Sequence, residues 1–176
     1  MIDESVDIDL LVIGGSGAGV TTAFYAAQAG TEVLMVSKGK AGFSGNAIMA
    51  GGGCGIDGQS GKEILGIESA DPNFTRKQLF DCLVKESFYL AEQPIVRQYV
   101  DDSPLVMKDY LQWAERAGSC FVNIQPCGWQ ASGSHFAKPL VQALKETPAI
   151  HVMEDTMILE LLKKGERVSI IWNKKC

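Results

Sequence analysis

Gly14-Gly15-Ser16-Gly17-Ala18-Gly19 is the segment of this sequence whose residue types and spacing bear most directly on chemistry. A glycine-rich turn between a strand and a helix aims backbone N–H groups and the positive end of the helix dipole at one point, which suits a pyrophosphate. The dinucleotide fingerprint asks for glycine at its first, third and sixth positions, for the turn, for close phosphate approach and for helix–strand packing. Read from Gly14, the third position is Ser16; read from Gly15, the sixth is Val20, so neither register is complete. Serine is small enough to admit a phosphate oxygen, and it adds a hydroxyl. The other half of the fingerprint, an acid at the end of the next strand that accepts from a ribose, is missing. Its place holds Ser37 and Lys38, which can bond a ribose hydroxyl and equally suit a 2′-phosphate. The motif points to a dinucleotide and leaves open which one, NADP included.

Such a turn works only inside a strand–turn–helix–strand frame, and the surrounding residues supply one. Ile8 to Ile13 is a short apolar run of the kind found in buried parallel strands. Val20, Ala23, Phe24 and Ala27 then fall at helical spacing, Gly30 supplies a left-handed stop, and Thr31 to Val36 reads as the second strand. The βαβ unit closes within about 30 residues, the usual size. From Ser37 to Gly61 glycine dominates without helical or strand period, which predicts a long functional loop packed through Phe43, Ile48, Met49 and Ile56.

Helices are expected farther on. One covers Thr75 to Gln93, with a stripe of Phe80, Val84, Phe88 and Ala91 widened by Leu79, Leu83 and Leu90. Another starts at Ser103 as N-cap with Pro104 in its first position, carries Val106, Tyr110, Trp113, Ala114 and Ala117 on one face, and stops at Gly118. A third spans Ser134 to Thr147 and needs Pro139 in its first turn. Strands at Ile150 to Met153 and Met157 to Leu162 follow, with a turn at Lys163 to Glu166 leading into Val168 to Trp172. The fold class is α/β, a Rossmann-like domain with a central parallel sheet, added helices and a C-terminal β-hairpin.

Composition narrows the function classes. With 176 residues, 46% hydrophobic and 21% charged, the chain can form a core, and one domain over residues 1–176 is the default, since domains commonly hold roughly 100–150 residues and a second would not fit. A net charge of -5 without a basic block argues against nucleic acid or an anionic membrane surface as partner. The acidic start Met1-Ile2-Asp3-Glu4-Ser5 lacks a signal-peptide layout, and no apolar run approaches the roughly 20 residues needed to span a bilayer, so a cytoplasmic chain is expected. Five scattered cysteines and two histidines, without a C-x-x-C pair, argue against disulfide, zinc or iron–sulfur frameworks.

The runs DLLVIGGSGAG, AQAGTEVLMVSKG and SGNAIMAGGG resemble the amino terminus of the FAD-dependent fumarate reductase and succinate dehydrogenase flavoprotein family, which includes L-aspartate oxidase. The later HVMEDTMILELLKKGERVS resembles the family strand whose backbone meets the adenine, near Met157, and its following hairpin. The resemblance implies FAD as cofactor, with Gly14, Gly15, Ser16, Gly17, Ala18 and Gly19 as the pyrophosphate turn and Ser37, Lys38 and Gly39 on the ribose side. It places Ser44, Gly45 and Asn46, and then Ala50, Gly51 and Gly52, against the diphosphate and isoalloxazine. Asn46 stands where respiratory members carry a flavin-linked histidine, so attachment is expected to be non-covalent.

The resemblance also implies an incomplete enzyme. The family's substrate groups come from a capping domain and later segments, and strands and a helix from its carboxyl-terminal end complete the flavin site. A further polypeptide supplying that part is therefore an expected partner, and weak FAD binding by this chain alone is expected. No residue here takes a catalytic role, and His135 is expected to serve a cap or the surface. Two other readings stay open: a non-catalytic remnant whose open sheet edge pairs with another polypeptide, and an NADP-dependent reductase. The latter needs a Tyr-x-x-x-Lys pair, yet Tyr89, Tyr99 and Tyr110 are followed four residues on by Gln93, Ser103 and Ala114.

Overall fold

A computed structural model describes residues 7–50, 55–124, 128–130, 133–165 and 167–174. Its elements begin with β1 (Leu10–Ile13), α1 (Gly17–Gln28), β2 (Val33–Val36), a 3-10 turn (Asn46–Met49), α2 (Gly58–Glu63), α3 (Arg76–Glu86) and α4 (Gln93–Arg116). They continue with β3 (Val122–Ile124), β4 (Gly128–Gln130), α5 (Gly133–Glu146), β5 (Ile150–Met153), β6 (Thr156–Lys164) and β7 (Arg167–Lys174). Two compact units result, Met1–Met49 with Phe136–Cys176, and Ala50–His135. Among the described residues no helix is long and apolar enough to cross a membrane.

The first unit is built on the apolar runs. β2 lies at the centre of a parallel sheet of order β1-β2-β5, with Val33 to Val36 matched to Leu10 to Ile13 on one side and to Ile150 to Met153 on the other. Val33, Met35 and Val36 are buried, as a strand covered on both faces requires. Val20 and Ala23 of α1 and Ala137, Leu140 and Ala143 of α5 are buried as well. α1 ends as expected at Gly30, where φ is +89°. The Gly30 N–H donates to Ala27 O and the Thr31 N–H to Ala26 O, the paired bonds of a Schellman stop. β6 and β7 form the expected hairpin, turning at Gly165 and bulged between Ile158 and Glu160. The α/β architecture with its parallel sheet and terminal hairpin is thus as the sequence predicts.

Several element boundaries differ from expectation, each for a physical reason. In the second unit α3 starts as expected at Thr75, whose hydroxyl and Gln78 form a reciprocal capping box. It stops at Glu86 rather than Gln93. Phe88 and Tyr89 adopt φ of +53° and +60°, and the Phe88 N–H to Lys85 O and Tyr89 N–H to Val84 O bonds repeat the Schellman pattern with Phe in the glycine position. Phe88, Tyr89 and Leu90 consequently stand exposed, and Leu79 and Val84 carry the buried face. Pro94, in the first turn of α4, favours a new helix start there, so the break falls before it.

α4 in turn runs unbroken through Ser103 and Pro104, which are interior residues and not a cap and first position. Val96, Val100, Pro104, Met107 and Ala114 are buried along one stripe. An interior proline costs about 3 kcal/mol, whereas burying side chains such as Val100 and Met107 returns roughly 1.5–3 kcal/mol each. The stripe therefore overrides the break. Pro139 likewise sits inside α5 and not in its first turn, buried beside Ala137 and Leu140. The glycine-dense region is not all loop either, since Asp57 accepts from the Ser60 N–H at 2.9 Å and caps the short α2. Asp57 is buried and lies 3.6 Å from Arg76 Nε, and Arg76 also approaches Asp101 at 3.6 Å. The β3–β4 hairpin, antiparallel with Val122 opposite Gln130, was not foreseen, because strands of three residues leave no readable alternation.

Two substitutions follow from these corrections. Ser103 Oγ is buried without a hydrogen-bond partner among the described residues. Ser103→Ala should therefore be neutral or stabilising by about 1 kcal/mol in chemical denaturation, whereas loss of a true N-cap would cost about 1 kcal/mol. Phe88→Gly should raise the thermal midpoint, because a left-handed non-glycine residue costs roughly 1–2 kcal/mol and this exposed side chain has little packing to lose.

Candidate functional site

Because β1, β2 and β5 run parallel, their carboxyl ends share one edge of the sheet, the edge at which open α/β sheets bind ligands. Backbone bonds fasten the segments that leave it. The Gly14 N–H donates to Val36 O at 2.8 Å, the Ser37 N–H to Met153 O at 2.8 Å, and the Thr156 N–H to Ser37 O at 3.0 Å. The glycine turn, the Ser37-Lys38-Gly39 segment and the start of β6 are thereby held side by side.

Each glycine of the turn has a distinct physical task. Gly14 adopts φ of +106°, a conformation that L side chains rarely reach. A Cβ on Gly19 would run into the Gly14 carbonyl oxygen, so its absence lets α1 approach the strand. Those are the first and sixth tasks of the fingerprint, and they select the register Gly14-Gly15-Ser16-Gly17-Ala18-Gly19 with Ser16 third. Gly15 serves a different contact, since a Cβ there would meet Ala41 Cα at 2.8 Å and Ser37 Oγ at 2.9 Å. Gly17 has nothing within 4 Å of a Cβ position, an open cradle at the helix start. Ser16 caps no N–H with its side chain, and the first turn of α1 carries no acid. The positive end of that helix dipole is thus left for an anion.

Of the other candidate residues, Ser37, Lys38, Gly39, Ser44, Gly45, Asn46 and Met157 lie in the same unit. Ser37 is buried and turned toward Gly15, so Lys38 is the exposed member of the pair. Gly39 packs on Ser44, whose hydroxyl would lie 2.7 Å from a Cβ there and donates to Lys40 O. Gly45, at φ of +85°, brings its backbone beside Ser16 Oγ, which would be 3.8 Å from its Cβ. Asn46 opens the 3-10 turn and is exposed. Met157 lies on β6, half-exposed, just past the end of β5. Ala50 belongs to the other unit, and Gly51 and Gly52 lie outside the described residues.

Sequence reasoning missed Glu154. It directly follows β5, and its Oε1 accepts from the Ala41 N–H at 3.0 Å, tying the loop after β2 to the third strand. The acid absent from the end of β2 is thus present at the end of its neighbour, since Val36 and Met153 are paired in register. Asp155 and Asn173 were also missed. With Lys38 and Met157 they line an open cleft at the same edge. A roomier cleft beside Lys85, Glu86, Phe88 and Tyr89 belongs to the other unit, and none of the candidate residues lines it. His135, expected to serve a cap or the surface, accepts from the Cys120 N–H through Nδ1 at 2.9 Å.

Comparison with known proteins identifies a family and a fold. A vinyl phenol reductase from Lactiplantibacillus plantarum is 28% identical over 162 residues, and the match covers 92% of this chain and 30% of the relative. An NADH:fumarate oxidoreductase from Klebsiella pneumoniae is 25% identical over 173 residues, with 92% and 18% covered. The chain therefore spans less than a third of these curated relatives. Among solved structures, an E. coli quinol fumarate reductase aligns with a TM-score of 0.72 at 21% identity, covering 94% of this chain and 29% of that one, a likeness of fold. The sequence model described as FAD binding domain matches residues 9–175, so the chain belongs to that FAD-binding family, and its relatives are flavoproteins of the fumarate reductase and succinate dehydrogenase kind.

Proposed function

We propose that this chain holds FAD non-covalently as the nucleotide-binding part of a flavin-dependent oxidoreductase. The diphosphate rests on Gly14 to Gly19, the adenosine ribose lies beside Lys38 and Gly39, the loop Ser44 to Asn46 closes over the diphosphate, and the adenine reaches Met157. One observation carries the reading: the uncapped, acid-free start of α1 meets the carboxyl ends of β2 and β5 at one edge of the sheet. Bound flavin supplies hydride transfer at its ring. The chain's residues bind and orient. First-turn N–H groups take the phosphate charge, Ser16 adds a hydroxyl, and Lys38 adds a cation at the rim. Asn46 has no nucleophilic imidazole, which supports non-covalent attachment.

Substrate groups belong to parts of the relatives beyond the matched segment. The two relatives named above act, by their names, on fumarate and on a vinyl phenol, so the substrate class is set outside these residues. In this reading a further polypeptide completes the flavin site by pairing along β1, which has a partner strand only on its β2 side among the described residues.

Titrating FAD with the full chain should give weak but saturable quenching of flavin fluorescence, and acid precipitation should release all the flavin. Absence of quenching together with NADPH binding would overturn the reading. Gly17→Val should weaken FAD binding at least tenfold at an unchanged melting temperature, because its cradle is open. Gly19→Ala should instead destabilise the fold by about 3 kcal/mol, the upper range for overpacking, because the atom it meets is backbone.

A further inference from the structure

Met157 and Asn173 are directly opposed in the β6–β7 ladder. Opposed residues of an antiparallel pair send their side chains to the same face. Together with Lys38 and Asp155 these two line an open notch of about 80 Å³. Ligand pockets that enclose a whole molecule run from about 300 to 1,000 Å³. The notch is therefore a place where the face and one edge of a ring can rest, and not an enclosed pocket for a dinucleotide.

The four side chains form a set with a definite complement. Met157 is 41% exposed and offers a polarisable apolar surface to an aromatic face. The Asn173 carboxamide has no hydrogen-bond partner among the described residues. It carries an acceptor and a donor side by side, the match for the amino donor and ring-nitrogen acceptor on an adenine edge. Guanine presents an oxygen acceptor in place of that amino group, which leaves the carboxamide oxygen facing another acceptor. Lys38 and Asp155 supply opposite charges beside the cleft. Asp155 is held at φ of +51° by its neighbours, the Thr156 N–H donating to Ser37 O and Thr156 Oγ1 to Glu154 O.

We propose that Asn173 is a specificity-determining residue that reads the adenine base by paired hydrogen bonds while Met157 covers its face. The proposal rests on the FAD reading above and adds to it the residue that distinguishes adenine from other bases. The test displaces FAD from the full chain with ADP or GDP, followed by flavin fluorescence, for the unaltered protein and for Asn173→Ala and Asn173→Asp.

ADP should compete at least about tenfold better than GDP, the order of discrimination one bidentate pair supplies. Both variants should lose that preference while keeping the circular dichroism of the unaltered chain. A chain that binds FAD but takes ADP and GDP equally, or variants that keep the preference, would overturn the role of Asn173 and leave the FAD reading standing. A chain that binds neither FAD nor ADP would overturn both.

Discussion

The parallel pairing of β2 with a strand on either side is the constraint on which the rest of the described site depends. The strands run the same way, so the segments following Ile13, Val36 and Met153 emerge at one edge although they are far apart in sequence. Antiparallel pairing would send one of them to the opposite edge. Three backbone bonds, from Gly14 to Val36, from Ser37 to Met153 and from Thr156 to Ser37, carry that alignment past the strand ends into the loops. Val33, Met35 and Val36 are buried on both faces of β2, which fits its place at the centre of the sheet.

Within that frame, backbone geometry shapes the turn at the start of α1. The glycine turn removes side chains where they would collide, at Gly15 and Gly19, and leaves Gly17 open at the start of α1. No acid stands at the end of the second strand, and the residues there have other contacts. Ser37 turns inward to pack near Gly15, Lys38 stays at the surface, and Glu154 brings a carboxylate from the adjacent strand to the Ala41 amide. A carboxylate bonded to a backbone N–H ties the loop after β2 to the residue that follows β5.

The departures from sequence-based expectation share a cause. Ser103-Pro104 looks like a helix start and Pro139 like a first-turn residue because local rules weigh a missing N–H heavily. Packing weighs more. Val100, Pro104 and Met107 lie on one buried stripe, and splitting α4 would expose it. The opposite happens at Phe88, where helical spacing predicts a continued stripe and the chain instead turns left-handed without a glycine. A proline six residues on makes the second helix a better continuation than the first.

Local order was legible in the residues: the strand–turn–helix–strand unit with its glycine turn, the glycine stops at Gly30 and Gly118, the Thr75 cap and the C-terminal hairpin. All of these are set by dihedral preference, capping or hydrophobic period over a few neighbouring positions. Tertiary structure alone decided which strand lies on the far side of β2, which glycine register is used, and which side chains join the site from a distance. Glu154 reaches Ala41 across 113 positions, and Asn173 meets Met157 only through the register of a bulged hairpin. No local period encodes such pairs, because they follow from how buried strands align. The sequence thus determined the local frame, a glycine turn between a strand and a helix, and folding determined which distant residues lie beside it.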